Sequence, residues 1–303
     1  MAIACGAGAG ASLESLPAEL ARLVELGYTA AELNPEYLDC IFGGQLHARQ
    51  AARIGEACQP LAARPGADPP PGKLVFTVHA PAVLDLRHPT RPELHRDILC
   101  ATVELAGAIC ARLVVVHFEQ RSLSAGREAQ LRRGIEVAAE VAAGLNVVLG
   151  VENIEVERAE RVLELVDAID SPLVRMTYDF GHDFLAAAHF GYDHLSSVRA
   201  CAPYAVHTHL SDNFGRFDPA RLGDFALYKA IPARNLNVTG LGDVHLPIGW
   251  GVLPYAAAIE AFQGARQTPF AGVLLGEHRR AFASADAEVL DRLREIAGCL
   301  NGP

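Results

Sequence analysis

The amino-acid sequence predicts an α/β protein, a single (β/α)8 TIM barrel spanning residues 1–303. Two observations carry that expectation. Eight short apolar runs alternate with eight helix-period stretches, the pattern of strands joined by crossover helices into a parallel sheet. The runs are also apolar throughout instead of alternating, as strands covered on both faces must be. An open doubly wound sheet would share these features, but its dinucleotide fingerprint is missing. GAGAG at 6–10 follows the first run, lacks the third-glycine spacing, and gives way to a helical pattern only after Ser12.

Along the chain, strand-like runs fall at 74–78, 113–116, 147–151, 174–178, 204–208 and 272–276, rich in Val and Leu, with shorter ones near 2–5 and 30–33. Helix-period stretches lie between them at 15–26, 45–58, 92–111, 127–143, 157–168, 190–201, 252–263 and 284–298. Two irregular segments interrupt the alternation. PLAARPGADPPPG at 60–72 reads as a Pro-rich loop entering the third strand from the bottom face, where insertions are harmless. The excursion at about 213–250 follows the seventh strand, on the face where barrel chemistry is built, and reads as a lid or binding element.

Composition bounds the function. Half of the 303 residues are hydrophobic, and mean hydropathy is +0.17, enough for a large core. There is no 18-residue uncharged apolar run, and the first residues lack the basic stretch of a signal peptide, so a soluble cytoplasmic protein with no membrane partner is expected. The seven cysteines are scattered and never spaced CxxC, which argues against zinc fingers and disulfides. A net charge of −10 disfavours a broad nucleic-acid footprint, because phosphate contacts need clustered Lys and Arg. Only Lys73 and Lys229 are available for Schiff-base chemistry, and Lys73 stands at the wrong end of its strand.

The residue that ends each run is the informative one. LVFTV ends at His79, LVVV at His117, VVLGV at Glu152, VRMTY at Asp179, YAVHT at His209 and GVLLG at Glu277. The C-terminal ends of barrel strands converge on one mouth, so three imidazoles and three carboxylates should meet there. Without a cation they would desolvate and repel one another, which makes a divalent metal the expected cofactor. Mixed imidazole and carboxylate donors suit Zn²⁺, Mn²⁺ or Fe²⁺. Further candidates are His182, one turn beyond Asp179, and the pair Asp243 and His245 in the excursion, where D-x-H spacing on an extended segment points both side chains the same way. His207 shares the face of His209 two residues deeper and reads as a supporting residue. Gly249 and Gly251 precede a helix near 252, where backbone amides would hold a phosphate or hydroxyl, or where the glycines simply make a tight turn.

In order, HAP at 79–81, VVVH at 114–117, VEN at 151–153, YDFGH at 178–182, HLSDN at 209–213, DVHLPIGWG at 243–251 and LLGE at 274–277 resemble the xylose-isomerase-like TIM-barrel superfamily. That superfamily contains sugar and sugar-phosphate isomerases and epimerases, and also endonuclease IV, a metal-dependent abasic-site nuclease. The resemblance implies one ion on His79, His117 and Glu152, a second on Glu152, Asp179, His209 and Glu277, and a third on His182, Asp243 and His245. The sugar enzymes typically need only the second group, with Glu152 and Glu277 doubling as the acid–base pair. Ala80, Pro81 and Ala82 stand where the nuclease family would put an aromatic probe, and the 213–242 excursion departs from its short DNA-binding loop. The expected function is therefore a metal-dependent isomerase or epimerase acting on a carbohydrate. The alternative is an endonuclease IV-like multi-zinc phosphodiesterase, with an iron-dependent lyase or oxidative enzyme as a third class. Barrels of this kind often form homo-oligomers.

Overall fold

The computed structural model of the protein describes residues 3–63 and 69–301. Eight parallel strands close into a barrel: β1 (Ala4–Ala9), β2 (Ala30–Leu33), β3 (Val75–His79), β4 (Leu113–Phe118), β5 (Val148–Asn153), β6 (Val174–Asp179), β7 (Ala205–Leu210) and β8 (Val273–Gly276). The strands pair in sequence order, and β8 pairs with β1 to close the ring.

The strands form where continuous apolar runs can be covered on both sides. Their outward side chains pack beneath amphipathic helices such as Asp286–Leu300, whose buried Val289, Leu290, Leu293, Ile296, Ala297 and Leu300 form one helical stripe. Each large side chain so buried contributes roughly 1.5–3 kcal/mol. Inside the barrel, bulk is limited by the neighbouring strand. A Cβ on Gly150 would lie 2.3 Å from Thr177 Oγ1.

The structure corrects three sequence expectations. Residues 6–9 of the glycine-rich run lie within β1, where a Cβ on Gly6 would sit 2.9 Å from both Ala30 Cβ and Leu275 Cδ1. The helix expected at 190–201 is preceded by another, Phe180–Phe190, that begins directly after β6. Its run FGHDFLAAAHF is mostly buried, so no polar face marks it in the sequence. The 213–250 excursion contains three short helices, Ala220–Gly223, Phe225–Ala230 and Ala233–Thr239. A small hairpin, Ile41–Phe42 with Gln45–Leu46, was also not foreseen. Of the Pro-rich loop, residues 64–68 lie outside the described residues. No described helix is long and apolar enough to cross a membrane.

Candidate metal centre

Parallel register brings the strand-end residues together. His117 stands opposite Glu152, and Asp179 opposite His209. Glu152, Asp179 and His209 are fully buried. His209 Nδ1 lies 2.9 Å from Glu152 Oε1, 3.1 Å from Glu277 Oε2 and 4.0 Å from Asp179 Oδ2. On one side, His79 Nε2 and His117 Nε2 lie 3.3 and 3.5 Å from Glu152 Oε2. On the other, His182 Nε2 is 3.2 Å and His245 Nε2 2.5 Å from Asp243 Oδ2. All nine residues singled out in the sequence as metal ligands thus form one connected cluster. Its central and outer groups are Glu152, Asp179, His209 and Glu277, and His182, Asp243 and His245.

Local structure aims each donor. Asp179 ends β6 and caps the following helix, its Oδ1 accepting the His182 amide at 2.6 Å. Its Oδ2 is left without a hydrogen-bond partner and faces the cluster. Asn153 fixes the Asp179 backbone from both sides, its side-chain amide donating to the Asp179 carbonyl while its Oδ1 accepts from the Asp179 amide, each at 2.9 Å. Three histidines are oriented through carbonyl oxygens. His79 Nδ1 donates to Ala80 O at 2.7 Å, His182 Nδ1 to Asn153 O at 3.0 Å, and His245 Nδ1 to Glu277 O at 2.9 Å. A carbonyl only accepts, so Nδ1 carries a proton and Nε2 is the nitrogen turned inward. His245 does this from a left-handed backbone, with φ of 43°, a conformation uncommon for a residue with a side chain.

The electrostatics favour positive charge at this mouth. Burial alone would suppress imidazolium, yet Glu152 and its neighbours raise His79 to about 9, and Asp243 and Glu277 raise His245 to about 10. Burial opposes ionisation of Glu277 too, but His209 and His245 bring it down to about 2. Asp179 goes the other way. Burial and the charges of Glu152 and Glu277 lift it to about 7 against the pull of His182 and His209. Glu152 Oε2, Asp179 Oδ2, Asp243 Oδ1 and Glu277 Oε2 are buried with no hydrogen-bond partner. Such atoms are costly unless a ligand meets them. Inward ring nitrogens, unpartnered carboxylate oxygens and a field that favours positive charge fit a divalent cation, and the donor set suits Zn²⁺, Mn²⁺ or Fe²⁺.

A cavity of about 1030 Å³ opens above the cluster. Glu277, His79 and His245 form part of its floor, and Arg221, Phe225 and Tyr228 of the excursion line it as well. Arg221 anchors the excursion to the barrel by donating to Glu155 Oε1 at 2.7 Å, and inside the excursion it covers the Phe225 ring at 4.7 Å. Glu152 does not reach the cavity surface.

Gly249 and Gly251 form a tight turn, the alternative that the sequence offered beside an anion-holding one. The Gly249 amide donates to Asp212 Oδ2 at 2.9 Å, and Asp212 Oδ1 accepts from the amides of Asn213 and Leu253 at 2.9 and 3.1 Å. A Cβ on Gly251 would lie 2.3 Å from Asn213 O. The turn is an anchor for the excursion, with the Gly249, Trp250 and Val252 amides engaged, and it is not among the residues that line the cavity.

One acidic residue escaped the sequence reading. Glu32 of β2 is 5% exposed, with Oε1 3.2 Å from His209 Nε2 and Oε2 accepting from Thr77 Oγ1 at 2.8 Å. A lone carboxylate inside the apolar run AAEL was the signal. His207, expected beneath His209, is buried 3.5 Å from Glu32 Oε2.

A sequence profile described as xylose isomerase-like TIM barrel matches residues 20–296. No curated protein matches the chain in sequence. Among solved structures, a D-tagatose 3-epimerase-like protein superposes with a TM-score of 0.66 at 18% identity, covering 98% of each chain. The apo form of 3-keto-D-glucoside 4-epimerase from E. coli gives 0.64 at 16%, covering 97% of this chain and 99% of that one. The IolI protein with a bound zinc atom gives 0.64 at 14%, covering 98% of each.

Proposed function

Since the chain belongs to the xylose isomerase-like TIM barrel family, we propose that it is a divalent-metal-dependent isomerase or epimerase of a sugar or sugar phosphate. One observation carries this reading. Carboxylates from β5 and β8, Glu152 and Glu277, converge on His209 Nδ1 beneath a cavity of small-molecule size. Solved neighbours named for epimerisation, and one named for bound zinc, support it.

Glu152, Asp179, His209 and Glu277 would hold the ion. When bound, it supplies positive charge beside the substrate oxygens, lowering the energy of the anion left by proton removal. The side chain of Glu277 is 27% exposed, so this carboxylate meets the substrate directly. It takes the proton from the carbon next to the carbonyl, and the electron pair of the broken C–H bond moves onto the carbonyl oxygen. Glu152, the second carboxylate of the pair, lies beneath the cavity surface, so the proton returned to the carbon passes through His79, which lines the cavity with its Nε2 3.3 Å from Glu152 Oε2. Arg221, Phe225 and Tyr228 close the cavity side and exclude water.

A second reading is favoured by the outer group, His182, Asp243 and His245, which enolisation does not require. A cluster of ions across all nine residues suits in-line phosphoester hydrolysis. The protein loaded with Zn²⁺ or Mn²⁺ is incubated with a ketose and ketose-phosphate panel in D₂O, and in parallel with abasic duplex DNA and a chromogenic phosphodiester. Deuterium appearing at one substrate carbon supports the proposal. Phosphodiester cleavage without exchange transfers the case to hydrolysis.

A further inference from the structure

We infer that the substrate is phosphorylated, and that Arg280 and Lys229 hold its phosphate ester in the cavity above the cluster. The inference deepens the isomerase reading proposed above and rests on it. Both side chains line the same cavity. Lys229 belongs to the helix Phe225–Ala230 of the excursion after β7, and Arg280 opens the short 3-10 helix Arg280–Ala285 after β8. In barrels of this architecture, the loops that follow the seventh and eighth strands are a frequent seat for phosphate.

The other cations of the lining are committed. Arg22 is held by Glu19 and Asp286 at 2.7 and 2.6 Å, and Arg221 by Glu155 at 2.7 Å. Arg279 donates to Asn237 Oδ1 and to the Asp243 carbonyl at 3.1 and 2.9 Å. Among the described residues, neither Arg280 nor Lys229 has a carboxylate partner. Lys229 Nζ rests 5.0 Å above the Phe225 ring. In a chain with 36 acidic and 26 basic residues, two cations without carboxylates lining one cavity call for an anion from outside. A phosphate monoester carries a charge of about −1.5 to −2 at pH 7, so two cations match it. A guanidinium can grip two of its oxygens while an ammonium adds a point charge. The end of β1 leaves room beside them. A Cβ on Gly10 would lie 3.9 Å from Arg280 Cδ and Nη1, and one on Gly8, which also lines the cavity, would meet nothing within 4 Å. The volume of about 1030 Å³ reaches the top of the usual range for small-molecule sites, roughly 300–1,000 Å³, enough for a sugar and its phosphate together.

The test uses the full-length protein loaded with Zn²⁺ or Mn²⁺. Ribulose and fructose, each with and without a terminal phosphate ester, are titrated by calorimetry beside a hexuronate, and the same compounds are followed for deuterium exchange. Wild type should bind the phosphorylated member of each pair more tightly. Arg280→Gln should cut that preference about 10- to 100-fold, the scale of a lost hydrogen bond between charged groups. Lys229→Met should also reduce it, and Arg280→Lys should keep part of it. The ratio of two ligands on one protein is unmoved by a general loss of folded material, so it separates phosphate recognition from a structural role. Wild type without a preference for phosphate overturns the inference, as does an unchanged ratio in Arg280→Gln or tighter binding of the hexuronate. If Arg280→Gln does not fold, the same ratio in Arg280→Lys and Lys229→Met decides. Phosphate-dependent binding without exchange at any carbon would sink the isomerase reading instead and leave the phosphate site standing.

Discussion

His79 and His117, from adjacent strands, face each other with their Nε2 atoms 3.2 Å apart. His79 Nδ1 donates to Ala80 O, so its Nε2 is the nitrogen turned to the meeting. Glu152 Oε2 lies within 3.5 Å of both nitrogens. Two ring nitrogens and a carboxylate oxygen this close are stable only with positive charge between them, either a proton or a cation.

Glu152 stands at the junction of the groups, so Glu152→Gln should lower bound metal and turnover together. We expect at least one fewer ion per chain by elemental analysis, and a fall of about 100-fold or more in sugar turnover, the scale of losing a general acid–base group. A variant with full metal content and normal turnover would remove the shared-site model.

His182→Ala separates the two readings. Its Nε2 belongs to the outer group, 3.2 Å from Asp243 Oδ2. Sugar turnover should stay within about 10-fold of wild type, or about 1.4 kcal/mol in the barrier. A much larger loss, accompanied by phosphodiesterase activity in the parent, would favour the multi-ion hydrolase.

Stability at acid pH should depend on His194. Burial brings its imidazole down to about 4 from the ordinary 6.5, against a weaker opposing pull from Asp193. The unfolded chain takes up a proton near pH 6.5 that the folded chain refuses until about pH 4, so this contribution is lost as pH falls through that window. A shift of about 2.5 units corresponds to at most about 3 kcal/mol. Asp183, raised by burial to about 6, works with the opposite sign over part of the range. The informative quantity is therefore a difference. Between pH 7 and 4.5, His194→Phe should lose about 2–3 kcal/mol less stability than wild type in urea titrations, and equal losses would refute the assignment.

Gly251→Ala should destabilise the excursion's anchor. The new methyl would meet Asn213 O and Asp212 Oδ1, both at 2.3 Å. Backbone displacement of this kind costs about 1–3 kcal/mol, visible as a lowered melting temperature. Gly223→Ala, where a Cβ meets nothing within 4 Å, is the control and should leave melting unchanged.

The barrel and most of its mouth were legible because each depends on a single kind of signal. An apolar run that stops at His, Asp or Glu marks both the strand and its functional end, and parallel register then brings His117 to Glu152 and Asp179 to His209. Other features leave weaker traces. β1 lacks bulky side chains because Ala30 and Leu275 crowd Gly6, so its true length is hidden. Glu32 lies within its strand, not at its end, and its importance comes from partners 45 and 177 positions away, Thr77 and His209. The role of Gly249 depends on Asp212, whose carboxylate was invisible as an amide acceptor until the chain was folded.

Asp212 also has an evolutionary consequence. Its backbone pairs with Leu246 in both directions, at 2.8 and 2.9 Å, while its carboxylate grips the turn beyond. The excursion therefore departs and returns at one stapled neck, like a cassette clipped into a frame. Lengthening such a closed insert adds only about 0.6 kcal/mol per doubling. Selection can therefore trade the roof of the cavity for another without re-engineering the walls beneath it.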